Sequence, residues 1–221
     1  MGEVNLLRDY PKTKRKLEER KVQKAAVDAQ KIARKFGKEF FDGDRKCGYG
    51  GYYYNSRFWQ PVVKTFKEYY GLTSADSILD VGCGKGFMLH DFKEILGAET
   101  IAGIDISEYA IEHSMEDIRP FLRVGNAKEL PYETNSFDIV VSINTTHNLP
   151  IEECKQALRE IERVSRGKSF ITVDAWRNDN EKEEMEAWNL TALTYMHVDD
   201  WKKLFEEVGY TGDYYWFFPS E

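Results

Sequence analysis

The chain has 221 residues, of which 42% are hydrophobic and 31% are charged. These values are typical of one globular domain with an extension, and they exclude a chain that is mainly disordered. Since no run of about 18 consecutive apolar residues is present, we expect no membrane span and no membrane partner. The N-terminal residues lack the features of a secretory signal and of a myristoylation signal.

Charge and cysteine usage narrow the class of protein further. Residues 8–46 carry 14 Lys and Arg against 7 Asp and Glu, whereas the whole chain has a net charge of −7. The main body is therefore acidic, which disfavours nucleic acid as a partner. Three cysteines without a Cys-x-x-Cys pair predict neither a disulfide framework nor a metal site. A cytoplasmic location fits this pattern best.

The first 60 residues differ in character from the remainder. Residues 12–36 have an apolar stripe at helical spacing, which predicts a polar helix that either lies on the main domain or forms a lid or dimer contact. Residues 37–60 are rich in glycine, and six aromatic residues fall between 49 and 59. Such a segment either wraps a ligand or caps a core. We expect an N-terminal helix and lid over 1–60 and a second domain over 61–221.

From residue 57 onward, helical and strand patterns follow one another regularly. Strands are predicted at 77–81, 100–105, 121–124, 137–143, 169–174 and 213–218. Helices are predicted at 57–70, 86–96, 107–117, 151–165 and 198–208, with at least one more between 176 and 198. This alternation predicts an α/β fold with a Rossmann-like, mostly parallel sheet of six or seven strands and helices on both faces.

A glycine-rich loop, Gly82-Cys83-Gly84-Lys85-Gly86, follows the first strand directly. Alternate glycines permit a tight strand-to-helix turn and let a ligand approach the backbone. Asp105 ends the second strand, where an acid can accept the hydroxyls of a ribose. The loop lacks the third glycine of a dinucleotide site, and Asp80 just before it repels a pyrophosphate but suits an amino group or a sulfonium. Those features favour S-adenosylmethionine over a nicotinamide cofactor.

The segments ILDVGCGKG, IAGIDIS and GNAKELPYETNSFDIVVS resemble, in order and spacing, the motifs of class I S-adenosylmethionine-dependent methyltransferases. The resemblance covers residues 75–210 and is specific for the cofactor, not for the substrate. It implies the following cofactor-binding residues: Asp80, Gly82 and Gly84 with Cys83 between them at the methionine end, Asp105 at the ribose, Ile106 against the adenine, Asn126 and Ala127 at its polar edge, and Asn144 near the methyl group.

The same resemblance also predicts which strands end the sheet. The family's sheet normally ends with two strands after the last helix, the final one antiparallel. Only twelve residues follow Gly209, enough for one strand. Either the sheet has six strands, or the N-terminal segment or a second subunit completes it.

Candidate catalytic residues follow the fourth and fifth strands. His147 is the candidate general base, because its pKa is ordinarily near neutrality and the loop opens beside the methyl donor. Asn144 and Asp174 complete the catalytic candidates, with Asp174 either assisting the base or capping a turn. The candidate substrate-binding residues are Tyr52, Tyr53, Tyr54, Arg57, Trp59 and Arg177, of which the two arginines could hold an anionic acceptor.

From these features we expect an enzyme that moves a methyl group from S-adenosylmethionine to a hydroxyl or carboxyl oxygen of a small molecule, leaving S-adenosylhomocysteine. A protein or RNA acceptor is the alternative within the class, since residues 8–46 could dock an acidic partner. Outside the class, the rivals are a nicotinamide-dependent oxidoreductase and a non-catalytic cofactor-binding module. A homodimer is compatible with the sequence.

Overall fold

The computed structural model describes residues 1–12, 17–24 and 28–219, without the side chains of 22–24. Its helices are α1 (Leu17–Lys24), α2 (Ala29–Ala33), α3 (Lys38–Phe41), α4 (Ser56–Tyr70), α5 (Phe87–Leu96), α6 (Glu108–Glu112), α7 (Ile151–Val164), α8 (Asp179–Trp188) and α9 (Val198–Val208). The strands are β1 (Ile78–Val81), β2 (Ile101–Asp105), β3 (Leu122–Val124), β4 (Ile139–Ile143), β5 (Ser169–Trp176), β6 (Met196–His197) and β7 (Asp213–Phe217).

The described strands form one seven-stranded sheet, so the predicted α/β fold is confirmed. Their order is β3-β2-β1-β4-β5-β6, and β7 also pairs with β5. Every pairing between these strands is parallel. Parallel order brings the carboxyl ends of β1, β2, β4 and β5 to one edge of the sheet, which is where ligands bind in folds of this kind.

Helices cover both faces of the sheet and divide the core into two layers. On one face, α7 and α9 pack against the sheet through buried residues such as Leu158 and Trp201. On the other face, α4 and α5 pack through residues such as Phe66 and Phe92. Alternation along β5 places Thr172 and Asp174 on the α4 face, because Ile171 and Val173 belong to the opposite layer.

The edge of the sheet differs from what the family resemblance implies. The last strand, β7, runs parallel to β5, so no antiparallel strand ends the described sheet. The N-terminal segment lies along β7 instead: the Val4 N–H donates to the Tyr214 carbonyl, and the Tyr214 N–H donates to the Gly2 carbonyl. The sequence left two candidates for completing the sheet, the N-terminal segment and a second subunit. The N-terminal segment is the one that lies beside the last strand.

Leu6 anchors this N-terminal segment in the core. Its side chain is fully buried in the core layer between the sheet and helices α4 and α5. The division of the chain at residue 60 stays a prediction. The first ten residues pack against the sheet of the second part, although they belong to the predicted N-terminal part.

Truncation of Leu6 tests this anchoring. Leu6→Ala should lower the free energy of unfolding by about 2–5 kcal/mol, because it leaves a cavity in a closed core. Leu193→Ala is the control, since that side chain is 46% exposed and its loss should cost within about 0.5 kcal/mol. Equal urea midpoints for the two variants would contradict the anchoring role.

The prediction of one helix over 12–36 is wrong for the described residues. Helices α1 and α2 are separate, and Asp28 before α2 has a left-handed backbone with φ 68°. Residues 13–16 and 25–27 lie outside the described part of the chain. Tertiary contacts override the helical pattern: Arg20, Gln30 and Arg34 each donate to a backbone carbonyl between residues 188 and 191.

Within residues 1–12, 17–24 and 28–219, no helix combines the length and the apolar character needed to cross a membrane.

Candidate active site

The glycine loop brings the ends of β1 and β4 into close contact. Gly82 and Gly84 have positive φ values of 86° and 53°, which side-chain-bearing residues rarely adopt. A Cβ atom on Gly82 would also collide with the side chain of Thr145, which follows β4. Gly82 is therefore required both by its own backbone and by the close approach of the β4 loop.

Asp105 lies at the carboxyl end of β2, beside the glycine loop. One carboxylate oxygen accepts the Gly84 N–H at 2.7 Å, and the other accepts the Ser107 N–H at 2.8 Å. Burial raises the pKa of Asp105, and these two backbone donors oppose that shift. Each oxygen keeps a second lone pair, so a pair of hydroxyl groups could still donate to this carboxylate.

Asp80 is the second carboxylate of this edge and is 4% exposed. Among the described residues, no group donates a hydrogen bond to its carboxylate. Burial, together with the nearby charge of Asp105, raises the pKa of Asp80 to about 7. An unpartnered buried carboxylate is costly, and a cationic ligand group at this position would relieve the cost.

The remaining cofactor candidates surround these two acids. The side chain of Ile106 is 53% exposed, so it offers an apolar platform next to Asp105. Asn126 uses its side-chain oxygen to accept the Lys128 N–H, and Ala127 is buried. Cys83 is buried with its sulfur directed at Gly103, and burial raises its thiol pKa well above the usual value. It fits a packing role better than a nucleophilic one.

The loop after β4 is fixed to β5 by hydrogen bonds. Asn144 has a left-handed backbone with φ 52°, and its side-chain oxygen accepts the Thr172 hydroxyl at 2.9 Å. The Nδ1 atom of His147 accepts the backbone N–H of Asp174 at 2.9 Å. Burial lowers the pKa of His147. The neutral ring therefore carries its proton on Nε2.

Asp174 lies beside His147, with its Oδ1 3.6 Å from His147 Nδ1. Nowhere in the described part of the chain does a donor form a hydrogen bond with its carboxylate, although the side chain is only 10% exposed. Burial raises the pKa of Asp174, against a lowering by His147. Both backbone polar groups of Asp174 form hydrogen bonds: its N–H donates to His147 Nδ1, and its carbonyl accepts the Trp201 indole N–H.

Aromatic side chains cover the two acids. The rings of Tyr49 and Tyr52 lie 4.4 Å apart, and Tyr52 stacks on Phe87 at 4.8 Å. Burial raises the pKa of Tyr52, with a smaller contribution from the charge of Asp80. The Tyr52 ring lies 3.5 Å from the position of a Cβ on Gly84, so these rings form a roof over the glycine loop at the carboxyl edge of the sheet.

Two further aromatic side chains extend this roof. The Trp59 side chain slightly lowers the pKa of Tyr52 against the larger effect of burial, and the ring of Tyr10 lies 4.9 Å from that of Trp59. Tyr10 thus connects the N-terminal segment to the roof.

Two further substrate-binding candidates lie at the margin of this roof, and the two arginines lie outside it. Tyr53 is 74% exposed with its ring 5.4 Å from Lys85 Nζ, and the Tyr54 hydroxyl donates to Asp91 on α5 at 2.6 Å. The guanidinium of Arg57, an exposed residue, lies over the Phe58 ring at 4.7 Å. Arg177 forms an ion pair with Glu181 at 2.8 Å and covers Phe218. The structure brings Tyr52 and Trp59 to the site, but neither arginine is drawn into it.

Sequence reasoning missed several residues of this site. Tyr10 lies far from the motifs in sequence, and nothing in its neighbourhood indicates a role. Thr145 directly follows Asn144, and only the close approach to Gly82 shows its importance. Lys85 and Asp42 form a buried ion pair at 2.7 Å that no local pattern indicates.

Comparison with known proteins identifies the family. A family model described as a methyltransferase domain matches residues 72–209, which is more than half of the chain. The chain belongs to the class I S-adenosylmethionine-dependent methyltransferases. The Bacillus subtilis YcgJ protein has a similar structure, with a TM-score of 0.55 at 16% identity over 66% of each chain. At that identity the similarity shows the fold alone.

Curated relatives of this methyltransferase differ in substrate. It is 31% identical to a tRNA (carboxymethyluridine(34)-5-O)-methyltransferase of Arabidopsis thaliana, over 64% of this chain and 33% of the relative. It is 24% identical to the 27-O-demethylrifamycin SV methyltransferase of Amycolatopsis mediterranei, over 62% of this chain and 55% of the relative. The chain thus spans at most about half of these relatives, and they do not agree on one acceptor.

The residues of this methyltransferase fit the family's methyl donor. Asp105 offers paired acceptors for a ribose, Ile106 offers an apolar surface for a purine, and Asp80 offers an unpartnered carboxylate for an ammonium group. No cluster of three or more His, Cys, Asp or Glu side chains suited to a metal ion occurs within the described ranges.

Proposed function

We propose that this protein transfers the methyl group of S-adenosylmethionine to a hydroxyl oxygen of a small molecule. S-adenosylmethionine supplies an electrophilic methyl group that is displaced directly from sulfur. The protein's contribution is then to align the acceptor, exclude water and remove the hydroxyl proton. The observation that carries the proposal is the buried, unpartnered carboxylate of Asp174 at the carboxyl end of β5.

The position of Asp174 suits an acceptor site. Thr172 holds Asn144, the residue expected near the methyl group. Asp174 lies two residues farther along β5 on the same face, which is about 7 Å beyond Thr172. A hydroxyl group bound between Asn144 and Asp174 would be placed beyond the methyl donor, at the outer end of the strand.

The hydrogen bonding around His147 favours Asp174 as the proton acceptor. His147 Nδ1 already accepts the Asp174 N–H, and Nε2 is protonated in the neutral ring. A burial-raised pKa makes the Asp174 carboxylate a stronger base than an exposed one. We therefore propose that Asp174 accepts the proton, and that His147 is a positioning residue rather than the base expected from sequence.

A carboxylate acceptor receives less support from the same geometry. Such an acceptor needs a cation to orient it, and two buried acids, Asp80 and Asp174, occupy this edge instead. Arg177 is engaged with Glu181, and Arg57 lies over Phe58. A hydroxyl group that donates to a carboxylate is the better match.

The proposed acceptor class can be tested with tritium-labelled S-adenosylmethionine. The purified protein is incubated with a small-molecule extract, with total tRNA and with a ribosomal protein fraction. We expect label in the small-molecule fraction as a methyl ether that resists mild alkali. Label that alkali releases as methanol would indicate a carboxyl acceptor, and label found only in tRNA or protein would contradict the proposal.

Cofactor binding should depend on pH through Asp80. If its carboxylate receives the ammonium of the cofactor, the ligand binds the ionised form, which is fully present only above the free-protein pKa of about 7. The dissociation constant of S-adenosylhomocysteine should rise up to about tenfold per pH unit below 7 and be constant above it. Calorimetry at pH 5.5, 6.5 and 7.5 measures this trend.

Asp80→Asn is the matched variant for that measurement. It should bind more weakly at pH 7.5 and lose the pH dependence, because an amide does not titrate in this range. A wild-type affinity that is constant from pH 5.5 to 7.5 would exclude Asp80 as the ammonium partner.

A further inference from the structure

A buried ion pair joins the glycine loop to the segment that covers it. Lys85, between Gly84 and Gly86, is 4% exposed, and its Nζ donates to Asp42 Oδ2 at 2.7 Å. The same Nζ donates to the Tyr52 carbonyl at 3.0 Å. Both partners belong to residues 37–55, which we call the roof segment, so one side chain of the glycine loop holds this segment at two points.

Asp42 is the centre of this cluster. Besides Lys85, it receives the Tyr109 hydroxyl at 2.7 Å on Oδ2 and the Tyr52 N–H at 2.9 Å on Oδ1. Burial raises the pKa of Asp42, but these donors outweigh burial and hold the pKa below its usual value. The carboxylate is therefore ionised, and it accepts three hydrogen bonds. It joins the glycine loop, α6 and the roof segment in one network.

The network places the roof segment directly over the cofactor site. Tyr52 and Phe41 lie 3.5–3.6 Å from the position of a Cβ on Gly84, and Tyr49 contacts both rings. Gly84 also donates its N–H to Asp105, and the charge of Asp80 contributes to the raised pKa of Tyr52. A cofactor bound between these acids would lie under the tyrosine rings, and the roof segment would have to move for the cofactor to enter or leave.

We propose that Lys85, Asp42 and Tyr109 form a latch that controls cofactor exchange. The latch residues are positioning residues: they keep Tyr49 and Tyr52 over the site, and their release is the step that limits departure of the demethylated product. This inference rests on the proposed function, since it assumes that the cofactor binds between Asp80 and Asp105.

Asp42→Asn tests the latch with little change in shape. It removes the charge that balances Lys85 and should favour the open roof segment, in which the ammonium group reaches water. We expect S-adenosylhomocysteine to dissociate at least tenfold faster, as measured by stopped-flow tryptophan fluorescence after displacement with excess sinefungin.

Asp44→Asn is the matched control in the same segment. Asp44 forms an exposed ion pair with Lys46 at 3.4 Å, so the identical substitution should leave the dissociation rate within twofold of wild type. Tyr109→Phe is the milder latch variant, because it removes one hydrogen bond to Asp42 and keeps the ring. It should accelerate dissociation about threefold to tenfold, and it decides the question if Asp42→Asn does not fold.

The outcomes separate this proposal from the proposed function. If wild-type protein binds no S-adenosylhomocysteine, the proposed function fails. If wild type binds it, but Asp42→Asn and Tyr109→Phe release it at the rate of Asp44→Asn, the latch alone is contradicted. Acceleration in both latch variants, with the control unchanged, supports the latch.

Discussion

Asp174→Asn is expected to lower kcat by about 10²–10⁴, the usual contribution of a general base. The Asp174 side chain makes no hydrogen bond within the described residues, and its ties to His147 and Trp201 use backbone atoms. The amide should therefore leave the fold intact and the S-adenosylhomocysteine dissociation constant within a few fold. Steady-state kinetics with a hydroxyl acceptor, together with calorimetry, measure both quantities.

The pH dependence adds a second readout for Asp174. Its pKa is raised by burial, so the ionised, active form accumulates as pH rises through that raised value. The wild-type rate should rise with pH over this range, which gives the pH–rate profile an ascending limb. The profile of Asp174→Asn should lack that limb. If the variant keeps near-normal turnover and the same ascending limb of the pH–rate profile, Asp174 is not the base.

Two variants at His147 distinguish a base from a positioning residue. The side-chain oxygen of Gln can accept the Asp174 N–H that His147 Nδ1 accepts now, so His147→Gln should retain much of the activity. His147→Ala leaves that N–H unpartnered and should lose more. If His147→Gln is as inactive as Asp174→Asn and also lacks the pH limb, His147 is the base.

Asp105→Ala should weaken binding of S-adenosylhomocysteine by about 10²-fold or more. A carboxylate that accepts two ribose hydroxyls provides two charge-assisted hydrogen bonds, each worth about 1.5–3 kcal/mol. The substitution also removes the acceptors of the Gly84 and Ser107 N–H groups, which loosens the glycine loop. Calorimetry gives the affinity, and circular dichroism checks that the fold persists.

Glu108→Ala is a suitable control for Asp105→Ala. Glu108 is an exposed carboxylate three residues farther along the chain, at the start of α6. Its removal should change cofactor affinity less than twofold. Equal affinities of Asp105→Ala and Glu108→Ala would place the ribose elsewhere.

The central sheet was predictable because its signals are local. Apolar runs such as 137–143 predict buried parallel strands, and the glycines of 82–86 specify the turn after the first strand. The cofactor candidates Asp80 and Asp105 follow from that register, since parallel strands end at one edge. Sequence-based boundaries differ by a few residues, as at β5, which extends to Trp176.

Other features depend on contacts between distant parts of the chain. The helical pattern of 12–36 contains no signal for a left-handed Asp28, because the carbonyls that receive Arg20 and Gln30 belong to residues 188–189. The positioning role that we propose for His147 has no local signal in the sequence either. It depends on which ring nitrogen meets the Asp174 N–H, and that is a property of the folded loop.

The contact between the N-terminal segment and β7 has a consequence for the kinetics of folding. Val4 hydrogen-bonds Tyr214, so two residues 210 positions apart in the sequence pair directly. Leu6 cannot be enclosed until these two segments meet, and the edge of β7 stays open until then. We expect a slow final folding phase that is set by this long-range closure.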